Sequence, residues 1–132
     1  MTVDIDELRK SLGNTETAND TISAATVAAF AATLDRDNPF PTAGEETPLA
    51  IHWVHFSPHA AQSDISPDGH PHRGDFLPSV PLPRRMWAGG RMRWPGALRV
   101  GDAVTRTSTI AEVNHKPGKS GELVFVLVKH TI

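Results

Sequence analysis

Residues 69–91 concentrate the side chains most able to do chemistry. They read Gly-His-Pro-His-Arg-Gly-Asp-Phe-Leu-Pro-Ser-Val-Pro-Leu-Pro-Arg-Arg-Met-Trp-Ala-Gly-Gly-Arg. Prolines and glycines bar this stretch from forming a long helix or a central strand. It nevertheless carries Arg73, Arg84, Arg85 and Arg91, His70 and His72, Phe76 and Trp87. Guanidinium forks suit phosphate or carboxylate, and Gly89-Gly90 lets a backbone come close to such an anion. A loop that recognises a small anionic ligand is therefore the first reading, with a proline-stiffened connection as the bland one.

Other chemistries fit less well. His52, His55 and His59, with His70 and His72, invite a metal reading. Residues 49–56 read as extended, which sends His52 and His55 to opposite faces, so no metal site is assigned. These two are read as packed histidines whose ring nitrogens find backbone partners, whereas His70, between Gly69 and Pro71, is better placed for recognition. Arg84, Arg85, Met86 and Trp87, followed by Arg91, Arg93 and Trp94, interleave basic and aromatic residues as a single-stranded nucleic acid would require. The net charge of −2 and a pI near 6.4 argue against nucleic acid. Ser57, Ser63, Ser66 and Ser79 have no nucleophile-elbow context, and Asp64, Asp68 and Asp75 have no spacing that singles out a base.

The elements that must position this loop are read as follows. With 132 residues, 39% of them hydrophobic, the chain suits one compact domain. It lacks cysteine, which excludes disulfide and cysteine-zinc frameworks. No apolar run nears the ~20 residues of a membrane span, and the acidic start (Asp4, Asp6, Glu7) is unlike a signal peptide. A cytoplasmic domain is expected. Residues 4–12 predict a helix capped by Asp4 and ended by Gly13, and residues 14–20 a polar connection. An Ala-rich helix follows over 22–34, capped by Asp20 or Thr21 and small enough to be closely enclosed by a sheet. Strands are predicted over 49–56, 86–94, 104–113 and 123–132, with a hairpin connection at 114–121. The last is apolar on both faces, as for a central or doubly covered strand. That pattern reaches Ile132, which suggests a truncated chain, a processed fragment or a subunit whose last strand pairs with a partner. The residues alone support an α+β domain with an anion-recognising loop.

Several segments together resemble a known family. They are His52-Trp53, Phe56 and Pro58, then Asp68-Gly69-His70-Pro71, Gly74-Asp75-Phe76-Leu77-Pro78 and Val80-Pro81-Leu82-Pro83-Arg84-Arg85-Met86-Trp87-Ala88-Gly89-Gly90. Leu98-Arg99-Val100-Gly101-Asp102, Ser108-Thr109-Ile110 and Leu123-Val124-Phe125-Val126 continue the match. The chain resembles the bacterial mesaconyl-/itaconyl-CoA hydratases, relatives of the type 2 3-hydroxyacyl-thioester dehydratases in the MaoC-like hot-dog superfamily. The resemblance implies a hot-dog fold, with the Ala-rich helix wrapped by an antiparallel sheet, and it implies that residues 1–132 are the N-terminal half of a double hot dog. It implies a hydro-lyase acting on a 2-enoyl- or mesaconyl-type CoA thioester, with no cofactor beyond the CoA of the substrate.

The family's Asp/Asn and His pair belongs to the second hot dog, and Asp64 and His70 only approximate its spacing. The chain is thus expected to be the non-catalytic, substrate-shaping half, with a second hot-dog domain or an oligomeric partner. The alternative is a thioester-binding subunit of a heteromeric dehydratase. Arg84 and Arg85 are the expected anion anchors, and Trp87, Phe76 and Met86 the tunnel walls. His70, Gly89 and Gly90 complete the substrate-binding set.

Overall fold

The computed structural model describes residues 2–73 and 75–132, so Gly74 of the proline-rich motif lies outside the described residues. The chain is α+β, with elements in the order α1 (Ile5–Arg9), β1 (Thr15–Thr21), α2 (Ala24–Thr33), β2 (Ala103–Gly118) and β3 (Gly121–Thr131). Single 3-10 turns at Ile51–Val54 and Gln62–Asp64 interrupt the long connection between α2 and β2. The three strands form one sheet in the order β1-β2-β3. Among the described residues, no helix is long and apolar enough to cross a membrane.

The chain divides into two compact units. The first comprises Met1–Thr17, Pro58–Ala88 and Thr107–Thr131. Here Asp4 caps α1 as expected, its Oδ1 accepting from the Asp6 and Glu7 amides at 3.1 Å. Gly13, at φ 81°, turns the chain so that its amide donates to the Ile110 carbonyl at 2.9 Å. The Ile110 amide donates in turn to the Asn14 carbonyl at 3.0 Å. The core is Val3, Leu8, Ile110 and Val113, flanked by Val124 and Val126 of β3 and by Phe76, Leu77, Val80 and Leu82 of the proline-rich loop. Each such side chain contributes about 1.5–3 kcal/mol when fully buried. The loop is therefore seated on the sheet by its own apolar residues.

β2 and β3 pair antiparallel from Gly118↔Gly121 to Thr107↔Thr131, with Ala111 left over where the register shifts between Ile110 and Glu112. Gly118 is required at the turn, since a Cβ there would lie 2.9 Å from the Gly121 carbonyl oxygen. The long β2 corrects the shorter strand expected over 104–113, because residues 114–118 continue the ladder. β3 also departs from expectation. It is an edge strand rather than a central one, and Leu123, Phe125 and Leu127 remain 46%, 41% and 51% exposed.

The second unit comprises Ala18–Ser57 and Gly89–Arg106, with Ile132. Its core is Ile22, Val27, Ile51, Phe56, Val100 and Val104. The Ile22 amide donates to the Asp102 carbonyl at 2.9 Å, and the Gly101 amide donates to the Ile22 carbonyl at 2.8 Å. The cap of α2 is Ser23, whose Oγ accepts from the Thr26 amide at 3.3 Å, and not Asp20 or Thr21. Of α2, only Val27 and Ala31 are buried, while Ala25, Ala29 and Ala32 face solvent.

Two predicted strands are absent. Residues 86–94 are irregular, since Gly89-Gly90 and Pro95 interrupt any ladder. Residues 51–54 form a 3-10 turn, and the buried side chains Ile51, His55 and Phe56 follow a turn's period rather than a strand's alternation. A strand is present at Thr15–Thr21, where the sequence predicts a polar connection.

Candidate functional site

In the first unit, the proline-rich loop opens with a miniature hairpin. Ile65 and Pro71 bridge antiparallel. The His72 amide donates to the Asp64 carbonyl at 3.0 Å, and the Ser66 amide to the His70 carbonyl at 2.7 Å. Gly69, at φ 84°, takes the left-handed position that the tip requires. Asp68 and His70 flank this glycine. One Asp68 oxygen, Oδ1, accepts from the His70 amide at 3.1 Å. The other, Oδ2, lies 3.5 Å from His70 Nδ1 and 3.8 Å from Arg73 Nη2. The His70 amide is the largest influence holding the Asp68 carboxyl below its usual range; burial opposes it, and the Arg73 guanidinium adds a smaller lowering.

Arg73 is the arginine that builds this loop. Its Nη1 donates to the Val80 carbonyl at 3.0 Å and to the Leu82 carbonyl at 2.9 Å. A guanidinium can do this because its fork of donors is planar and fixed. The two carbonyls belong to the proline-rich strip, where the neighbouring prolines have no N–H to offer. Sequence reasoning gave Arg73 no role. The signal available was its place before a run of prolines whose carbonyls need donors.

Beyond that pin, Arg84, Arg85, Met86 and Trp87 are exposed. Met86 is 86% and Trp87 75% accessible. The guanidinium groups of Arg84 and Arg85 thus stand at the surface beside two large apolar side chains. Phe76 is instead half-buried and packs into the core of the unit. With Asn14, Thr15, Glu16 and Asp75 it lines a shallow surface depression. In the second unit Gly89 and Gly90 are exposed, and a Cβ at Gly89 would meet nothing within 4 Å. Among the described residues of the first unit, His70 is therefore grouped with Asp68 and Arg73, while Arg84, Arg85, Met86 and Trp87 form a separate exposed strip.

The second unit contains a buried turn at the start of α2. His55 is 7% exposed. The Ser23 amide donates to its Nε2 at 3.3 Å, and its Nδ1 lies 2.9 Å from the Ile51 carbonyl. Because an amide only donates, the ring proton sits on Nδ1 and is given to Ile51. Phe56 has φ 59°, an uncommon conformation for a bulky residue. The Asp20 carboxylate holds it there: Oδ2 accepts from the Phe56 amide at 2.8 Å and Oδ1 from the Thr21 amide at 2.7 Å. Arg106 stacks its guanidinium 5.1 Å from the centre of the Phe56 ring. The packed reading of His55 stands, although its neighbours are set by a 3-10 turn and not by a strand. Among the described residues, no group of three or more His, Cys, Asp or Glu side chains could hold a metal ion.

A hydrogen bond in the first unit also escaped the sequence reading. Ser108, fully buried on β2, lies 2.7 Å from His130 Nδ1 on β3. Its only signal is the strand register, which places residues 108 and 130 opposite one another.

The span that carries both the Asp68–Arg73 hairpin and the Arg84–Trp87 strip matches a known family. Residues 49–132 match the hydroxyacyl-thioester dehydratase type 2 domain. The chain belongs to that family. It is also 45% identical, over 121 residues, to a mesaconyl-C(4)-CoA hydratase of Chloroflexus aurantiacus. That alignment covers 92% of this chain and 43% of the relative, so the chain spans less than half the relative's length. Within the dehydratase family match lie β2, β3, the buried His55 turn and the whole proline-rich loop, whereas α1, β1 and α2 precede it.

Proposed function

We propose that the chain is the substrate-shaping half of a hydro-lyase that adds water to the double bond of an enoyl-CoA thioester and removes it again. The observation that carries this reading is the 45% identity to a mesaconyl-C(4)-CoA hydratase over nearly the whole chain but only 43% of the relative. In the hydration direction the water oxygen bonds to the β-carbon and a proton is delivered to the α-carbon. The reverse step returns the water and restores the double bond. No cofactor is needed beyond the CoA of the substrate.

This half supplies binding in that scheme. Arg84 and Arg85 are exposed cations suited to a CoA phosphate or to the free carboxylate that a mesaconyl thioester retains. Met86 and Trp87 beside them offer apolar surface to the acyl or pantetheine chain. The acid–base pair that moves protons would come from a second hot-dog domain, in the same chain or in a partner. The helix and three-stranded sheet fit one incomplete half of a double hot dog. The open edge of β3, with Leu123, Phe125 and Leu127 exposed, suits coverage by further structure.

Titration of the chain with crotonyl-CoA and mesaconyl-CoA by calorimetry tests the binding role. Arg84→Ala is expected to weaken the complex about ten- to a hundredfold, the range for losing a charge-assisted hydrogen bond. Its unfolding midpoint should stay within about 0.5 kcal/mol of the parent, as for other surface substitutions. Equal affinity of parent and variant for both thioesters would remove Arg84 from the site.

A further inference from the structure

We propose that Asp68 is a positioning residue that fixes the His70 imidazole with its proton on Nδ1. Nε2 is then a preset acceptor for a hydrogen-bond donor on a thioester ligand. The inference rests on the function proposed above for its ligand, but not for its geometry.

Two contacts from one carboxylate hold the residue. Oδ1 takes the His70 amide at 3.1 Å, which fixes where the side chain leaves the backbone. Oδ2 lies 3.5 Å from Nδ1, an approach longer than a formed hydrogen bond but close enough to choose between the tautomers. An ionised carboxylate only accepts, so the ring nitrogen facing it is the one that carries the proton. Arg73, pinned by the Val80 and Leu82 carbonyls, places a cation 3.8 Å from the same oxygen and favours its charged form.

The His70 side chain is 48% exposed, so the ring is oriented without being enclosed. His55 provides the contrast, since protein groups engage both of its nitrogens. His70 has its Nδ1 turned toward a carboxylate oxygen 3.5 Å away, and its Nε2 is left for a ligand. A CoA thioester offers two kinds of donor to such an acceptor. The amide N–H groups of the pantetheine arm are present in every CoA compound, and the β-hydroxyl is present only in the hydrated acyl group.

The test has two parts on the 132-residue chain. In mildly alkaline solution, long-range proton–nitrogen spectra of 15N-labelled histidine report which ring nitrogen of His70 is protonated. The parent is expected to show Nδ1–H. Asp68→Asn keeps an Oδ1 that can accept the His70 amide but removes the charge, and is expected to shift His70 toward Nε2–H. The Ser66 and Gly69 amide resonances should stay in place. An unchanged tautomer overturns the proposal.

Affinity for CoA, butyryl-CoA and 3-hydroxybutyryl-CoA forms the second part. A loss of about tenfold in Asp68→Asn and in His70→Gln with all three assigns the pantetheine amides, the scale of one hydrogen bond to a preset acceptor. The same loss confined to 3-hydroxybutyryl-CoA assigns the hydroxyl. Unchanged affinity for all three overturns the ligand role. A parent chain that binds none of them contradicts the proposed function, while the tautomer still decides what Asp68 does.

Discussion

The turn holding His55 and the turn holding His70 use the same three side-chain types to opposite ends. In each, an aspartate accepts a backbone amide, a histidine adjoins a residue of positive φ (Phe56 after His55, Gly69 before His70), and an arginine lies nearby. At His55 every partner is internal: Asp20 takes two amides, the ring is claimed by Ser23 and Ile51, and Arg106 stacks on Phe56. At His70 the carboxylate engages one side of a ring that is half open to solvent. The first turn locks the start of α2 into its core. The second leaves its imidazole half open to solvent. Shared residue types therefore do not imply shared roles, and burial decides between them.

That contrast can be broken most directly by removing each imidazole. His55→Ala takes the ring acceptor from the Ser23 amide, removes the side-chain donor to the Ile51 carbonyl, and opens space beside Ile51, which is completely buried. It is expected to cost about 1–3 kcal/mol, read as a lower midpoint in urea unfolding. A variant as stable as the parent would show that the His55 turn is not what anchors α2.

A smaller effect is expected from acid at the other turn. The folded-state pKa of Asp68 is lowered, chiefly by the His70 amide. Its contribution is therefore present at and above the ordinary carboxylate range and is lost as pH falls through the lowered folded value. The His70 amide resonance should move in that acidic window in the parent and stay flat in Asp68→Asn. Flat titrations in both chains would mean that the carboxylate does not hold the turn.

The legibility of these features followed their dependence on local chemistry. Asp4 before an Ile5, Leu8 pattern is a local signal, and α1 starts where it points, although it ends at Arg9 and gives way to turns before Gly13. The hairpin of β2 and β3 was also readable, because Val124, Val126 and Val128 alternate along the strand that packs on Val113 and Ile110. Its edge position was not readable. Leu123, Phe125 and Leu127 look the same in sequence whether a neighbour covers them or not.

Polar β1 was hidden for the reverse reason. Thr15–Thr21 offers almost nothing to bury, so its pairing with β2 leaves no hydrophobic period. Residues 49–56 misled because β-branched and aromatic residues are common both in strands and in tightly packed turns. The Asp20 to Phe56 bond that sets the turn spans 36 positions. At the candidate site, the proline-rich loop and its arginines stood out by composition. The division of labour among them did not, since Arg73 faces carbonyls and Arg84 and Arg85 face solvent only once the loop is folded.

The central claim is that this chain shapes a thioester site whose proton-moving groups lie elsewhere. Hydration of crotonyl-CoA and mesaconyl-CoA, followed by loss of the enoyl-thioester absorbance, tests it most directly. The 132-residue chain would be assayed alone and then with a chain carrying the remaining portion of a hydratase of this family. The expected result is no turnover by the chain alone and turnover on addition of that second portion. Turnover by the chain alone would contradict it and would turn attention to Asp64, Asp68, His70 and His72 as the acid–base groups.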